Sequence, residues 1–234
     1  MSKSVVLAYS GGMDSTVLLY KACSSYEKVY TVSFFYGQRH DKELDLIKTN
    51  ISKFKNATNI VLNLKECFGR FGGSALLDDR IDVAKAKDVM GDPQTVNYIP
   101  NRNAIFLSIL TGYAESVGSN LVWYGAAQAD SLAGYFDGSI EFVDKINELN
   151  QLNRRNVVRI EAPLLDLSKK QIIELGVSLG VNFKDTWTCY EGKDIACGEC
   201  TACALRIKGF VDAKVKDPIL YKQQNKLNRL YDNY

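Results

Sequence analysis

Apolar positions in the first half of the chain alternate between short unbroken runs and helical spacing. Ser4 to Tyr9 is a short apolar run that breaks at Ser10-Gly11-Gly12, the pattern of a buried strand. From Asp14 to Ser25, residues Val17, Leu18 and Ala22 recur at helical intervals, and Val29 to Phe35 is β-branched and aromatic, which predicts a second strand. His40 to Phe54 places Leu44, Ile47, Ile51 and Phe54 three or four apart, a second amphipathic helix, and Asn59 to Leu64 reads as a third strand. The stretch from about Glu66 to Asn97 is rich in Gly and Asp with weak periodicity and carries no assigned element. The pattern resumes at Arg102 to Val117, an apolar helix with Ile105, Phe106, Ile109, Leu110 and Tyr113. Strands at Leu121 to Tyr124 and Val157 to Ile160 follow, then Ser168 and Gln171 as a capping box before a helix over Ile172 to Leu179.

Strands separated by helices predict an α/β domain, a Rossmann-like parallel sheet with helices on both faces. Such sheets bind ligands beyond the carboxyl ends of their strands. After about Thr186 the chain becomes Cys-rich and then basic, so residues 1–185 read as the main domain and 186–234 as a C-terminal lobe with a basic helical tail. Hydrophobic residues at 46% and charged residues at 24% exclude a disordered, collagen-like or coiled-coil chain. The formal net charge is only +2, which argues against nucleic acid as partner. An RNA-binding lobe using Lys208, Lys214, Lys216, Lys222, Lys226 and Arg229 is the reading from another class; a solvated helix face is the more economical account of those charges. There is no secretory h-region, and no window approaches the roughly 18 apolar residues of a membrane span. A cytoplasmic location follows as an expectation, and with it reduced thiols available for metal or redox chemistry.

Ser10-Gly11-Gly12-Met13-Asp14-Ser15-Thr16 lies between a predicted strand and a predicted helix. Two glycines let the backbone turn tightly toward an anion, the hydroxyls of Ser10, Ser15 and Thr16 add donors, and the helix start adds a favourable dipole. This makes a phosphate cradle that lacks the lysine of a Walker A loop. Asp14 would repel a phosphate unless a cation bridges the two, which implies Mg2+. The competing reading is a Ser/Gly turn capped by Asp14.

The six cysteines divide into a cluster and two outliers. Cys197, Cys200 and Cys203 are spaced C-x2-C-x2-C, with Cys189 upstream, and Gly198 permits a tight metal knuckle. Four thiolates suit a closed, structural Zn2+ site with no open position for water. An iron–sulfur cluster and four unrelated buried thiols are the alternatives; the ferredoxin run would continue to a further Cys-Pro, and here it does not. Cys23 and Cys67 have neighbours typical of ordinary core or loop. His40, the sole histidine, has no nucleophile elbow to serve and defaults to capping or packing.

The loop sequence S-G-G-x-D-S resembles the PP-loop ATP pyrophosphatases. Further segments extend the resemblance: Tyr36-Gly37-Gln38-Arg39-His40, Pro100-Asn101-Arg102-Asn103, Gly134-Tyr135-Phe136-Asp137, and Thr188-Cys189-Tyr190 leading into Cys197-Gly198-Glu199-Cys200. Together, over about residues 4 to 212, they resemble the QueC family of 7-cyano-7-deazaguanine synthases. The resemblance implies a PP-loop, HUP-type fold, ATP with Mg2+ and Zn2+, and a soluble enzyme that is often a homodimer. It implies adenylation of 7-carboxy-7-deazaguanine, displacement of AMP by ammonia, and a second activation that yields the nitrile. Tyr9, Ser10, Gly11, Gly12, Met13, Asp14, Ser15 and Thr16 would then hold ATP. Asp14, Arg39, Arg102 and Asp130 are the catalytic candidates, the arginines because guanidinium pairs with carboxylate and phosphate alike. Tyr36, Gln38, Arg102, Asn103, Asp130, Gly134, Tyr135 and Asp137 are the substrate-binding candidates; surface ion pairs, loop caps and core tyrosines are the plain alternatives for their side chains.

One segment departs from the family pattern. Where the family loop reads approximately D-[YF]-S-G-Y-P-D-C-R, this chain has Asp130-Ser131-Leu132-Ala133-Gly134-Tyr135-Phe136-Asp137-Gly138-Ser139. One residue is added, Phe136 stands for proline, and Gly138-Ser139 stand for Cys-Arg. QueC-like relatives in anti-phage defence systems join the activated deazaguanine acid to a protein amine, and a reshaped pocket suits such an acceptor as the alternative to ammonia.

Overall fold

A computed structural model describes residues 3–39, 42–90, 92, 95–127, 136–191 and 194–223. Five strands form one all-parallel sheet: β1 (Ser4–Ala8), β2 (Lys28–Phe35), β3 (Ala57–Asn63), β4 (Leu121–Trp123) and β5 (Arg159–Glu161). Their spatial order is β3-β2-β1-β4-β5. The chain first winds outward from β1 through β2 to β3, then returns to add β4 on the other side. The direction of winding therefore reverses between β1 and β4, where a crevice opens at the strand ends.

Side-chain alternation along the strands divides the core into two layers. Val5 and Leu7 of β1 join Trp123 and helices α1 (Met13–Ser25) and α7 (Lys169–Ser178) on one face. Val6, Val122 and Ile160 meet α5 (Arg102–Ser116) and α6 (Ile140–Asn150) on the other. Helix α2 (Lys42–Ile51) precedes β3 and sends Ile47 into the first layer. The buried hydroxyls of Thr31 and Ser33 on β2 donate to Asn59 Oδ1 on β3 at 2.7 and 3.0 Å, satisfying polar groups inside the sheet layer.

The predicted elements are present with shifted ends. Helix α2 spans fewer residues than the His40 to Phe54 periodicity suggests, and β5 starts at Arg159, with Val157 exposed ahead of it. The 66–97 stretch contains only two four-residue helices among its described residues, α3 (Lys65–Phe68) and α4 (Ala86–Val89). It is held by side chains instead: Asn97 accepts from Ala84 N and donates to Ala84 O. Helix α6 has no counterpart in the sequence pattern; Ser139 caps it by accepting from Phe142 N at 3.2 Å. Helix α8 (Thr201–Asp212) starts directly after Cys200 and packs on α7, with Phe210 meeting Phe183 edge to face. Arg206 of α8 is fully buried, paired with Asp217 at 2.7 Å and donating to Thr186 and Phe183. Among the described residues no helix is long and apolar enough to cross a membrane.

Candidate active site at the sheet crevice

Strand β1 stops at Ala8, and Tyr9 extends it by one bond to Val32 O. The chain then turns over Gly11, whose φ of +84° favours glycine, and enters α1 with Gly12 at the N-cap. No side chain caps α1. Asp14 therefore does not serve as its cap, and the first-turn N–H groups remain for a ligand. Ser10 Oγ accepts from Gly12 N at 3.1 Å and lies 3.1 Å from Ser15 Oγ, while Thr16 donates to Gly12 O at 2.8 Å. These bonds set the shape of the turn before any ligand arrives.

The loop forms one end of a cavity of about 310 Å³ beyond β1, β2 and β4. Phe34, Tyr36, Phe106 and Tyr124 make its aromatic wall, with Phe34 and Phe106 stacked 4.0 Å apart and nearly parallel. Arg102 and Asn103, at the start of α5, and Asp137, after the 128–135 segment, complete that side. Burial opposes the Arg102 charge, but Tyr36, Tyr190 and Asp137 around it outweigh burial and raise its pKa. Burial also raises the carboxyls of Glu43 and Asp137, with Arg102 offsetting part of each shift. The Glu43 carboxyl stands well above its ordinary value, so a neutral acid faces the cavity over more of the pH scale than an exposed glutamate would.

Most of the sequence-derived candidates line this one space: Tyr9, Ser10, Gly12, Met13, Asp14 and Ser15 at the loop end. Tyr36, Gln38, Arg102, Asn103 and Asp137 line the rest. Gln38 is also a staple for the β2 end, accepting from Tyr36 N at 2.8 Å and donating to Phe34 O at 3.1 Å. Arg39 is not among the lining residues: its guanidinium reaches Asp79 Oδ1 at 2.6 Å, Asp79 O and Ile81 O, so it clamps the 66–97 excursion. Asp130, Gly134 and Tyr135 lie outside the described residues, as does His40.

Two ionisable residues carry no mark in the sequence motifs. Glu43, on α2, lines the cavity beside the loop: its carbonyl presses on Gly11 and its carboxyl approaches Gly12. Lys169 is buried and donates to Asp14 Oδ2 at 2.8 Å, leaving Asp14 Oδ1 buried without a partner. A signal for Lys169 is available. It stands at the first position of a helix, where the dipole disfavours a cation, directly after the capping Ser168.

The cysteine cluster closes behind α8. Sγ atoms of Cys189, Cys197, Cys200 and Cys203 all lie within 4.8 Å of one another and all four residues are buried. A tetrahedral ion with Zn–S bonds near 2.3 Å would hold its sulfurs about 3.8 Å apart. The Cys197–Cys203 separation is 3.9 Å. A four-iron cluster, with each thiolate on a different iron, needs wider spacing. Gly198, at φ +79°, turns the chain so that the N–H groups of Glu199 and Cys200 both donate to Cys197 Sγ. The donor set therefore fits a single closed zinc site.

A parallel sheet reversed at β1/β4 with an uncapped glycine loop at that crevice, joined to a closed four-cysteine lobe, defines the chain as a Rossmann-like α/β protein with a metal-binding lobe. Fold comparison agrees: NMN synthetase from Francisella tularensis superposes with a TM-score of 0.54, covering 99% of this chain and 85% of that one at 15% identity. The NH3-dependent NAD synthetase of Campylobacter jejuni gives a TM-score of 0.50 at 15% identity, covering 100% and 86%. Within that class the chain belongs to the QueC family, matching the family described as "Queuosine biosynthesis protein QueC" over residues 3–214. The 7-cyano-7-deazaguanine synthase of Clostridium kluyveri is 40% identical over 228 residues, covering 95% of this chain and 99% of the relative. That of Thermoplasma volcanium is 40% identical over 229 residues, covering 95% and 92%.

Proposed function

We propose that the chain is an ATP-dependent C–N ligase that converts 7-carboxy-7-deazaguanine into 7-cyano-7-deazaguanine. The observation that supports this reading is the two-ended cavity, with the glycine loop and the uncapped α1 N-terminus at one end and an aromatic wall with a guanidinium at the other. In the first half-reaction a substrate carboxylate oxygen attacks the α-phosphorus of ATP, and pyrophosphate leaves. The Ser10–Thr16 loop and the open N–H groups of α1 hold the phosphates. Asp14 Oδ1 is a buried carboxylate oxygen without a partner, which suits a Mg2+ that offsets phosphate charge.

Arg102 meets the substrate carboxylate and then the acyl phosphate, since a guanidinium matches both. Phe34, Tyr36 and Phe106 pack against the flat deazaguanine ring, and Asp137 accepts from its N–H edge. Ammonia adds to the acyl carbon, AMP departs, and an amide remains. A second ATP adenylates the amide oxygen; loss of AMP and the two amide protons leaves the nitrile. The chain's contribution is alignment and charge complementarity, with no covalent enzyme intermediate. The cluster cysteines hold Zn2+ as a structural ion.

Incubation with ATP, 7-carboxy-7-deazaguanine and ammonium, read by mass spectrometry, tests this. The expected products are the nitrile with two AMP and two pyrophosphate per turnover. Absence of nitrile together with a mass increment on a protein amine would overturn ammonia as the acceptor in favour of the defence-type ligase.

A further inference from the structure

Three polar side-chain atoms on residues lining the cavity, Asp14 Oδ1, Thr188 Oγ1 and Thr201 Oγ1, are buried without a hydrogen-bond partner. An unmet buried hydroxyl is costly, and two of them on residues of one wall favour a ligand that supplies acceptors. Both threonines belong to the metal-binding lobe, each adjacent in sequence to a cluster cysteine, and Thr201 is only 2% exposed. It opens α8, a twelve-residue helix whose N-terminus carries no side-chain cap and whose residues Thr201, Ala202 and Leu205 line the cavity.

The position of Thr188 relative to the loop is fixed. Trp187 N donates to Gly11 O at 3.3 Å, and a Cβ at Gly12 would sit 3.4 Å from Trp187 O. The segment leading into Cys189 thus runs alongside the glycine pair. Lys169 packs under Gly209 of α8 and reaches Asp14, so a cation stands between the loop and the lobe. Thr188, Thr201 and Lys169 line the same cavity, so hydroxyl donors and a cation are both available to an anion there.

We propose that Thr188 and Thr201 form the second half of the pyrophosphate site, donating to the distal phosphoryl oxygens of a nucleotide held by the Ser10–Ser15 loop. The lobe is then part of the nucleotide site as well as a structural appendage. This deepens the ATP-dependent reading above and rests on it. Two hydroxyl hydrogen atoms meet phosphate oxygens, and the orphan Asp14 oxygen meets the accompanying Mg2+, so each unmatched atom finds its complement.

The test titrates inorganic pyrophosphate with Mg2+, and AMP separately, into the intact metal-loaded protein by calorimetry. The near-isosteric Thr201→Val is expected to weaken pyrophosphate about tenfold and leave AMP unchanged, with Thr188→Val weakening it severalfold and Thr201→Ser restoring it. Equal pyrophosphate affinity in wild type, Thr201→Val and Thr188→Val would overturn the subsite while leaving the ATP reading standing. A parallel loss of AMP binding would also overturn it, because the effect would then be general. Wild type that binds neither probe would overturn both. Should Thr201→Val fail to fold, the Thr188→Val and Thr201→Ser titrations carry the same decision.

Discussion

Gly11→Ala places a methyl group where the fold has none to spare. Gly11 has φ +84°, and an added Cβ would overlap the Glu43 carbonyl oxygen, a backbone atom in α2 that no rotamer change can move. The left-handed conformation alone costs an alanine about 1–2 kcal/mol. Relief of the overlap by moving α2 adds roughly 1–3 kcal/mol, the usual range for overpacking. The sum, about 2–5 kcal/mol, is a large share of the roughly 5–15 kcal/mol that stabilises a domain. Gly72 supplies the control: its φ is +62°, yet nothing lies within 4 Å of its added Cβ, so Gly72→Ala should show the conformational cost alone. Urea denaturation of both variants, with m unchanged, separates the two contributions through the shift in midpoint. Nucleotide titration of the folded Gly11→Ala protein should also show weakened binding, because displacement of α2 drags Glu43 from the cavity wall. If Gly11→Ala is no less stable than Gly72→Ala, the close approach of Glu43 to the loop is refuted.

Arg206→Met leaves Asp217 charged and buried, and should cost about 3–5 kcal/mol in a thermal melt; adding Asp217→Asn should recover part of that loss, which a pair without coupling would not do. Glu43→Gln should flatten the pH dependence of stability. Burial raises the Glu43 carboxyl, so its contribution is whole below the ordinary value of 4.5 and is lost as pH climbs through the raised one. Facing Arg102, Tyr36 and Tyr9, the Gln variant should therefore gain on wild type as pH rises in urea titrations, and a constant gap would contradict the shift. Purified protein should carry one zinc per chain by elemental analysis, and strong chelation should lower the melting temperature; metal-free protein with an unchanged melt would refute the closed four-cysteine site.

The parts of the fold that are legible in the sequence are those whose periodicity is local. Val5, Leu7, Val17 and Leu18 announce a buried strand and its helix because each layer of the sheet takes alternate residues. The glycine loop and the cysteine spacing are legible for the same reason, since a tight turn and a metal knuckle are each encoded within a few residues. Helix α6 is hidden because Ile140, Leu149 and the nearby Leu152 are exposed, which blurs the apolar stripe, and its cap Ser139 falls inside the segment that departs from the family pattern. Arg39 has the right chemistry for a carboxylate, but no sequence pattern places Asp79 within its reach. Glu43 and Lys169 illustrate the converse. Their roles depend on which backbone segments meet at Gly11 and Asp14, and contacts of that kind join residues far apart in the chain.

The same separation bears on when the site comes into being during synthesis. The loop is encoded by residues 10–16, yet β1 gains its β4 neighbour only after Val122 and Trp123 emerge, and Ser119 reaches back 115 positions to Ser4 O. Asp14 acquires Lys169 across 155 positions, and Gly11 O receives Trp187 N later still. A growing chain thus carries an unfinished cradle for most of its translation. On the proposed function, phosphate binding would be a late acquisition, appearing only once the segment carrying Lys169 and Trp187 has docked.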